Sequence, residues 1–186
     1  MGRIVVTEFV SLDGVMEDPG GAESFEHGGW SFEFSRGEEG DKFKLDETFQ
    51  SDALLLGRVT YDGFADAWPE RDGEFADRFN SMPKYVVSST LRDPEWTNST
   101  VVGGDLASAV ADVRGRHDGD IVVHGSAQLV QGLIAADHVD ELRLMVFPVI
   151  LGTGKRLFGA TDGKKPLRLA SSRVVGDGVT ILTYTR

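Results

Sequence analysis

The chain alternates short β-branched runs with stretches whose apolar residues recur every three or four positions. Residues 4–10 (Ile-Val-Val-Thr-Glu-Phe-Val) read as a strand, ended by turn chemistry at Ser11-Leu12-Asp13-Gly14. Ala53-Leu54-Leu55-Leu56 is a short buried strand stopped by Gly57. Residues 84–88, Thr100-Val101-Val102 and Ile121-Val122-Val123 are further strands, the last closed by His124-Gly125-Ser126. Helical spacing is found over 41–50, where Phe43, Leu45 and Phe49 would face inward, and over 58–68, which ends at Trp68-Pro69. It returns at 105–117 and in the strongly apolar segment 127–136. Residues 139–151 begin with strand alternation and finish as a continuous apolar run, and 167–175 and 178–185 pair around Gly176-Asp177-Gly178.

Strands alternating with helices and closing in a hairpin predict an α/β fold. The expected sheet is central and mostly parallel, with antiparallel C-terminal strands and helices on its faces. No repeat, low-complexity tract or linker divides the sequence, so residues 1–186 are expected to form a single domain. Residues 15–40 are rich in glycine and carry Phe25, Trp30, Phe32 and Phe34, which suggests a long loop covering a site.

Composition narrows the chemistry. The chain has no cysteine, which removes disulfides, thiolate nucleophiles and cysteine-based metal sites. His27, His117, His124 and His138 show no metal-like spacing, so no metal is expected. A net charge of −11 opposes nucleic acid and anionic membrane as partners. The N-terminus runs directly into a strand pattern and no apolar stretch is long enough to span a membrane, so a cytoplasmic location is expected.

In open α/β sheets, ligands gather beyond the carboxyl ends of the strands, where helix N-termini offer unpaired amides. Three junctions have that character: Leu56-Gly57-Arg58-Val59-Thr60, Val87-Ser88-Ser89-Thr90 and Val123-His124-Gly125-Ser126-Ala127. Singly, each glycine is an ordinary turn residue and each hydroxyl an ordinary cap. Together they offer places for a pyrophosphate, a ribose and its substituent. No Gly-x-Gly-x-x-Gly follows a strand, Gly154-Lys155 lacks the rest of a P-loop, and no Gly-x-Ser-x-Gly elbow is present.

With those junctions, the chain resembles the dihydrofolate reductase-like superfamily, and more closely proteins related to the C-terminal reductase domain of the bifunctional riboflavin-biosynthesis deaminase–reductase. The matching stretches are Ser11–Gly14, Leu56–Tyr61, Pro83–Leu91, Gly125–Ala127, Val139–Leu142 and Phe147–Phe158, in family order along nearly the whole chain. The resemblance implies NADPH as hydride donor, a small-molecule substrate and a homodimer. It implies that Gly57, Arg58 and Thr60 face cofactor phosphates, with Ser88, Ser89 and Thr90 near the adenosine ribose phosphate. Gly125, Ser126 and Ala127 would lie at the pyrophosphate, and Pro148 to Gly154, including Gly152, at the nicotinamide end. Relatives often carry Arg where Ser89 stands, and its loss weakens the case for NADPH over NADH.

Hydride transfer to a C=N or C=O also needs a proton at the neighbouring heteroatom. Asp13 is the first candidate donor, fixed by the strand before it and with its pKa expected to rise under the aromatic loop; Glu17 and Asp18 lie nearby. The alternative for Asp13 is a plain Asp-Gly turn. Trp30 would stack on a flat substrate beside Pro148, with Phe25 and Phe32 near, or these aromatics would anchor the loop. Lys155 and Arg156 could hold an acidic substrate tail. Asp41, Asp46 and Glu47 lie in the helix that in dihydrofolate reductases carries the acid, without a clear match. The function read from all this is NADPH-dependent reduction of a pterin-like, pyrimidine or related heterocycle. The rival is a non-catalytic nucleotide-binding or regulatory protein of the same fold. Helix 127–136 and the run 144–151 could build a dimer interface or be core.

Overall fold

A computed structural model describes all residues 1–186. Its centre is one eight-stranded sheet in the order β4-β3-β2-β5-β1-β6-β8-β7. The strands are β1 (Arg3–Ser11), β2 (Ser51–Gly57), β3 (Lys84–Val87), β4 (Ser99–Val102), β5 (Asp120–His124), β6 (Glu141–Phe147), β7 (Arg168–Val175) and β8 (Val179–Thr185). The first six run parallel, and β6–β8 and β8–β7 are antiparallel. The helices are α1 (Gly37–Gln50), α2 (Arg58–Ala67), α3 (Glu74–Ser81), α4 (Leu106–Gly115) and α5 (Ala127–Ala135).

Parallel strands are covered on both faces, which is why β1, β2 and β5 are continuous apolar runs. Val6, Leu55 and Val123 face α4 and α5, meeting Val110, Val113, Val130 and Leu133. Val5, Leu54 and Val122 face the other way, toward Tyr61, Phe79, Met82 and Trp96. A third cluster, built from Trp30, Met145, Phe147, Val175, Val179 and Ile181, seats the long loop on the C-terminal strands. No helix is long and apolar enough to cross a membrane.

Three expectations change. The first is the helix expected at 41–50, which begins four residues earlier, at Gly37, and does not bury the apolar face its spacing suggested. Its buried residues are Gly40, Lys44, Glu47 and Thr48, while Phe49 is 49% exposed. The second is the apolar run 139–151. It leaves the sheet at Phe147, because Pro148 has no amide to continue a ladder. The third concerns the stretch between Pro69 and Pro83, which carried no expected element and holds α3. Of the two readings open for 127–136 and 144–151, interface or core, Leu129, Val130, Leu133, Leu144, Met145 and Phe147 are core.

The polar face of α1 is satisfied across the sheet. Lys44 and Glu47 form a buried ion pair, Lys44 Nζ donates to Thr7 Oγ1 at 3.0 Å, and Arg143 reaches Glu47 Oε1 at 3.3 Å. Glu47 keeps a lowered pKa despite burial, because Lys44, His124 and Arg143 all favour its anion. Asp41 pairs with Arg36 and Asp46 with Lys42 on the outer side of α1. None of the three acids faces a cleft at the carboxyl ends of the strands.

Candidate functional site

Because β1 to β6 are parallel, all their carboxyl ends lie along one edge of the sheet. In space the order there is Ser88–Thr90 after β3, Gly57–Thr60 after β2, Gly125–Ala127 after β5, Asp13 after β1 and Pro148–Gly154 after β6. From β3 to β6 this row crosses four strand spacings, about 19 Å. The fold therefore lines up the three junctions, Asp13 and the 148–154 stretch along one edge, while Trp30, Asp41, Asp46 and Glu47 lie off it.

At the centre of the row two junctions interlock. The Gly57 amide donates to Ser126 Oγ at 2.8 Å, and the Ser126 amide donates to Thr60 Oγ1 at 2.8 Å. Gly125 and Ser126 both adopt left-handed backbone, φ 58° and 63°. A Cβ on Gly125 would sit 3.0 Å from Thr60, and one on Gly57 3.3 Å from Ser126, so a side chain at either position would crowd the partner junction where the loops cross. Ser126 makes no side-chain bond to the first turn of α5, which leaves that positive helix end uncapped. Ala127 opens that turn.

Arg58 ties the next pair of junctions. Its Nε bonds both carboxylate oxygens of Asp62, and its guanidinium reaches Thr90 Oγ1 at 3.5 Å. Ser88 Oγ accepts from the Thr90 and Leu91 amides, a hydroxyl turn that leaves Ser89 and Thr90 exposed at the edge. Among these residues Arg58 is the one cation available to a phosphate.

Asp13 departs from expectation. Its carboxylate accepts from Ser11 Oγ at 2.6 Å, the Leu151 amide at 3.1 Å and the Gly152 amide at 2.9 Å, with Arg156 at 3.7 Å. These bonds favour the anion, the Ser11 hydroxyl most, and pull its pKa down to about 2. The expected upward shift is reversed, and Asp13 is ionised at neutral pH. Its geometry is that of a clamp fastening the 148–156 loop to the end of β1. Glu17 does the same through Lys155, accepting from its amide at 2.8 Å and pairing with its Nζ at 2.9 Å. Asp18 caps the Ala22 amide at 2.6 Å. Lys155 and Arg156 are thus engaged by Glu17 and Asp13.

The sign of the Asp13 shift fixes a pH window. A depressed folded-state pKa contributes stability that is present above the unfolded value near 3.8 and lost as pH falls through about 2. Loop 148–156 should therefore stay fastened from pH 5 to 9. In an Asp13→Asn variant, amide exchange at Leu151 and Gly152 should accelerate at least tenfold across that range; unchanged exchange would contradict the clamp.

Trp30 is 1% exposed, its indole N–H donates to Glu17 O at 2.8 Å, and its ring meets Phe147 edge-on at 5.4 Å. It anchors the loop and is not presented for stacking, whereas Phe32 is 78% exposed. A shallow cavity of about 370 Å³ lies above it, lined by Glu26, His27, Gly28, Glu33, Val149, Ile150 and Leu151 as well as Trp30. Pro148 is exposed beside this opening.

Two ionisable groups stand at the centre of the row: Glu8, buried and read from sequence only as a strand residue, and His124, partly buried, which belongs to the third junction. Glu8 is 6% exposed on β1, accepts from the Gly125 amide at 3.0 Å, and burial holds its pKa well above the usual carboxylate range. His124 packs edge-on to Phe79 at 5.5 Å, and burial pushes its pKa down to about 3, leaving it neutral. The signal for Glu8 was present: a lone carboxylate in the otherwise apolar run of β1.

The mostly parallel eight-stranded sheet closed by an antiparallel C-terminal pair is a dihydrofolate reductase-like α/β fold. Within it, the chain belongs to the RibD C-terminal domain family, which matches residues 3–181. That family is of the reductase type, so the chain falls in the oxidoreductase class. It is similar to two Bacillus subtilis (strain 168) proteins, the uncharacterized YyaP (26% identical, covering 98% of this chain and 94% of that one) and the uncharacterized YwjB (27%, 95% and 94%). A solved structure from Shewanella sp. PV-4, provisionally named for riboflavin biosynthesis, superposes with a TM-score of 0.81 at 24% identity, covering 99% of this chain and 98% of that one. A pyrimidine reductase-like protein from Corynebacterium diphtheriae gives 0.64 at 13%, covering 99% and 91%.

Proposed function

We propose that this single domain is an NADPH-dependent reductase that transfers hydride to a small pterin-like or pyrimidine heterocycle. The observation that carries the reading is the row of junctions along one sheet edge, with glycines where a Cβ would crowd the neighbouring loop and an uncapped helix end beside them. Those features fit a dinucleotide: close backbone approach and a positive helix end suit a pyrophosphate, and Arg58 with Ser88, Ser89 and Thr90 suits a ribose phosphate.

When bound, the nicotinamide would supply a hydride, which carries both electrons of the reduction, to the electrophilic carbon of a C=N or C=O. The chain's own part is to hold and exclude. Gly57, Thr60, Gly125, Ser126 and Ala127 would carry the phosphates; Gly152 and Gly154 would let the 148–154 loop approach the ring; Pro148 would wall the heterocycle. Asp13, ionised, keeps that loop in place and does not donate the proton, which reaches the product heteroatom from water at the open cleft. The substrate takes up one hydride and one proton, and each turnover consumes one NADPH. A homodimer is part of the proposal; β7 is a sheet edge with Leu169 and Val174 exposed, the place a second copy would pair.

The test is NADPH oxidation followed at 340 nm against a panel of ribosylaminopyrimidines and dihydropterins. Turnover with one class and not the other assigns the substrate; tight NADPH binding without turnover on any member would favour the non-catalytic reading. Arg58→Ala should weaken NADPH about tenfold and NADH by less than threefold, since about 1.4 kcal/mol is a modest value for one exposed cation–phosphate contact. Equal losses for both nucleotides would remove Arg58 from the ribose phosphate.

A further inference from the structure

We propose that Glu8 is a positioning residue of the dinucleotide site, relaying a hydrogen bond from the Gly125 amide to a phosphate oxygen at the head of α5. The inference rests on the dinucleotide reading above and adds to it a residue outside the three junctions.

Glu8 points to the α5 side of the sheet, in register with Val6 and Val10, and is more than nine-tenths buried. Its two oxygens differ. Oε2 accepts from the Gly125 amide, while Oε1 is buried with no partner anywhere in the chain. A buried carboxyl with one oxygen unpaired is a cost to the fold that a leucine in the same place would not impose. Burial raises the pKa of this carboxyl and so favours its neutral form, against the Gly125 hydrogen bond and Lys44, which favour the anion. A neutral carboxyl has a carbonyl oxygen, which suits the Gly125 N–H, and one O–H, which then lies on the unpaired Oε1. In that form the carboxyl places a donor, and not a charge, next to the Gly125 turn at the uncapped end of α5.

Both features call for an oxygen acceptor. The Gly125 amide that a phosphate would otherwise use is occupied by Glu8, so the carboxyl returns the lost donor one bond further on. The ionisable groups that act on Glu8 come from the opposite face: Lys44, which lowers its pKa, and Glu47, which raises it, with His124 and Arg143 in the same network. Helix α5 carries no ionisable side chain.

The experiment compares wild type, Glu8→Gln and Glu8→Leu by calorimetric titration with NADPH between pH 6.5 and 9.5, with melting temperature recorded without ligand. Glutamine offers the same pairing, an oxygen for Gly125 and an N–H for the phosphate. It should bind within threefold of wild type at pH 7. Leucine keeps the strand and lacks both; it should bind at least tenfold more weakly. As pH rises, wild type should lose affinity while Glu8→Gln holds its own, because ionised Glu8 repels phosphate. A raised folded-state pKa means the folded chain keeps a proton the unfolded chain gives up near 4.5, so wild-type stability falls as pH rises above that value. The melting-temperature gap in favour of Glu8→Gln should widen over the same range. Micromolar binding by wild type with Glu8→Leu unchanged would overturn this role alone. Absence of NADPH binding by folded wild type would overturn the dinucleotide reading and this role with it.

Discussion

Replacing Lys84 by methionine is expected to destabilise the protein by about 3 kcal/mol, or roughly 10 °C in melting temperature. Lys84 opens β3 and is 0% exposed. Its Nζ donates to the carbonyls of Asn80 at 2.7 Å, Met82 at 2.9 Å and Thr97 at 2.9 Å, and lies 4.3 Å from the Trp96 ring centre. No carboxylate pairs with it. Three carbonyls from the exit of α3 and the approach to β4 thus converge on one cation, and methionine would leave all three without a donor. Burial pushes the Lys84 pKa down to about 8. The unfolded chain then holds the proton more tightly, so this lysine's contribution rises with pH between about 8 and 10.5 and is at its lowest below 8. Thermal melts of both proteins at pH 7 and pH 9.5 check the account: the gap should be large at pH 7 and larger at pH 9.5. A Lys84→Met protein within 2 °C of wild type would contradict the carbonyl cage.

The second large effect is expected on ligand binding. Gly125→Val should weaken NADPH by at least 100-fold, about 2.7 kcal/mol. Gly125 sits at φ +58° with a would-be Cβ 3.0 Å from both Thr60 Oγ1 and Thr60 Cγ2, so a branched side chain must push the two junctions apart. The Ser126 amide would then leave Thr60, and Gly57 would leave Ser126. Gly115→Ala, at an open position on α4 away from the row, serves as the control and should bind as wild type does. Far-UV circular dichroism shows whether the valine variant is folded, and thermal stabilisation by NADPH, present in wild type and lost in the variant, reads the binding. Binding within threefold of wild type would remove the Gly125 junction from the cofactor site.

Much of the fold was legible because its strands are parallel and buried on both faces: unbroken runs such as Leu54-Leu55-Leu56 and Ile121-Val122-Val123 have few other places to go. The hairpin at Gly176-Asp177-Gly178 announced itself through its turn. Helix α1 was harder, since Lys44 and Glu47 face inward only because Thr7 and Arg143, 37 and 96 positions away from their respective partners, answer them. Asp13 shows the same limit at the site. Its position after β1 was readable, but its ionisation is set by the Leu151 and Gly152 amides arriving 138 and 139 residues later. Helix α3 went unrecognised between two prolines, although Phe75, Phe79 and Met82 carry its apolar stripe. Glu8 was readable as an oddity in an apolar strand; its orphaned oxygen was not.

Calorimetric titration of the purified protein with NADPH and with NADH tests the central claim most directly. The account predicts one micromolar site per chain for NADPH, weaker binding of NADH, and loss of the NADPH site in Gly125→Val. A folded protein that takes up neither dinucleotide would contradict it.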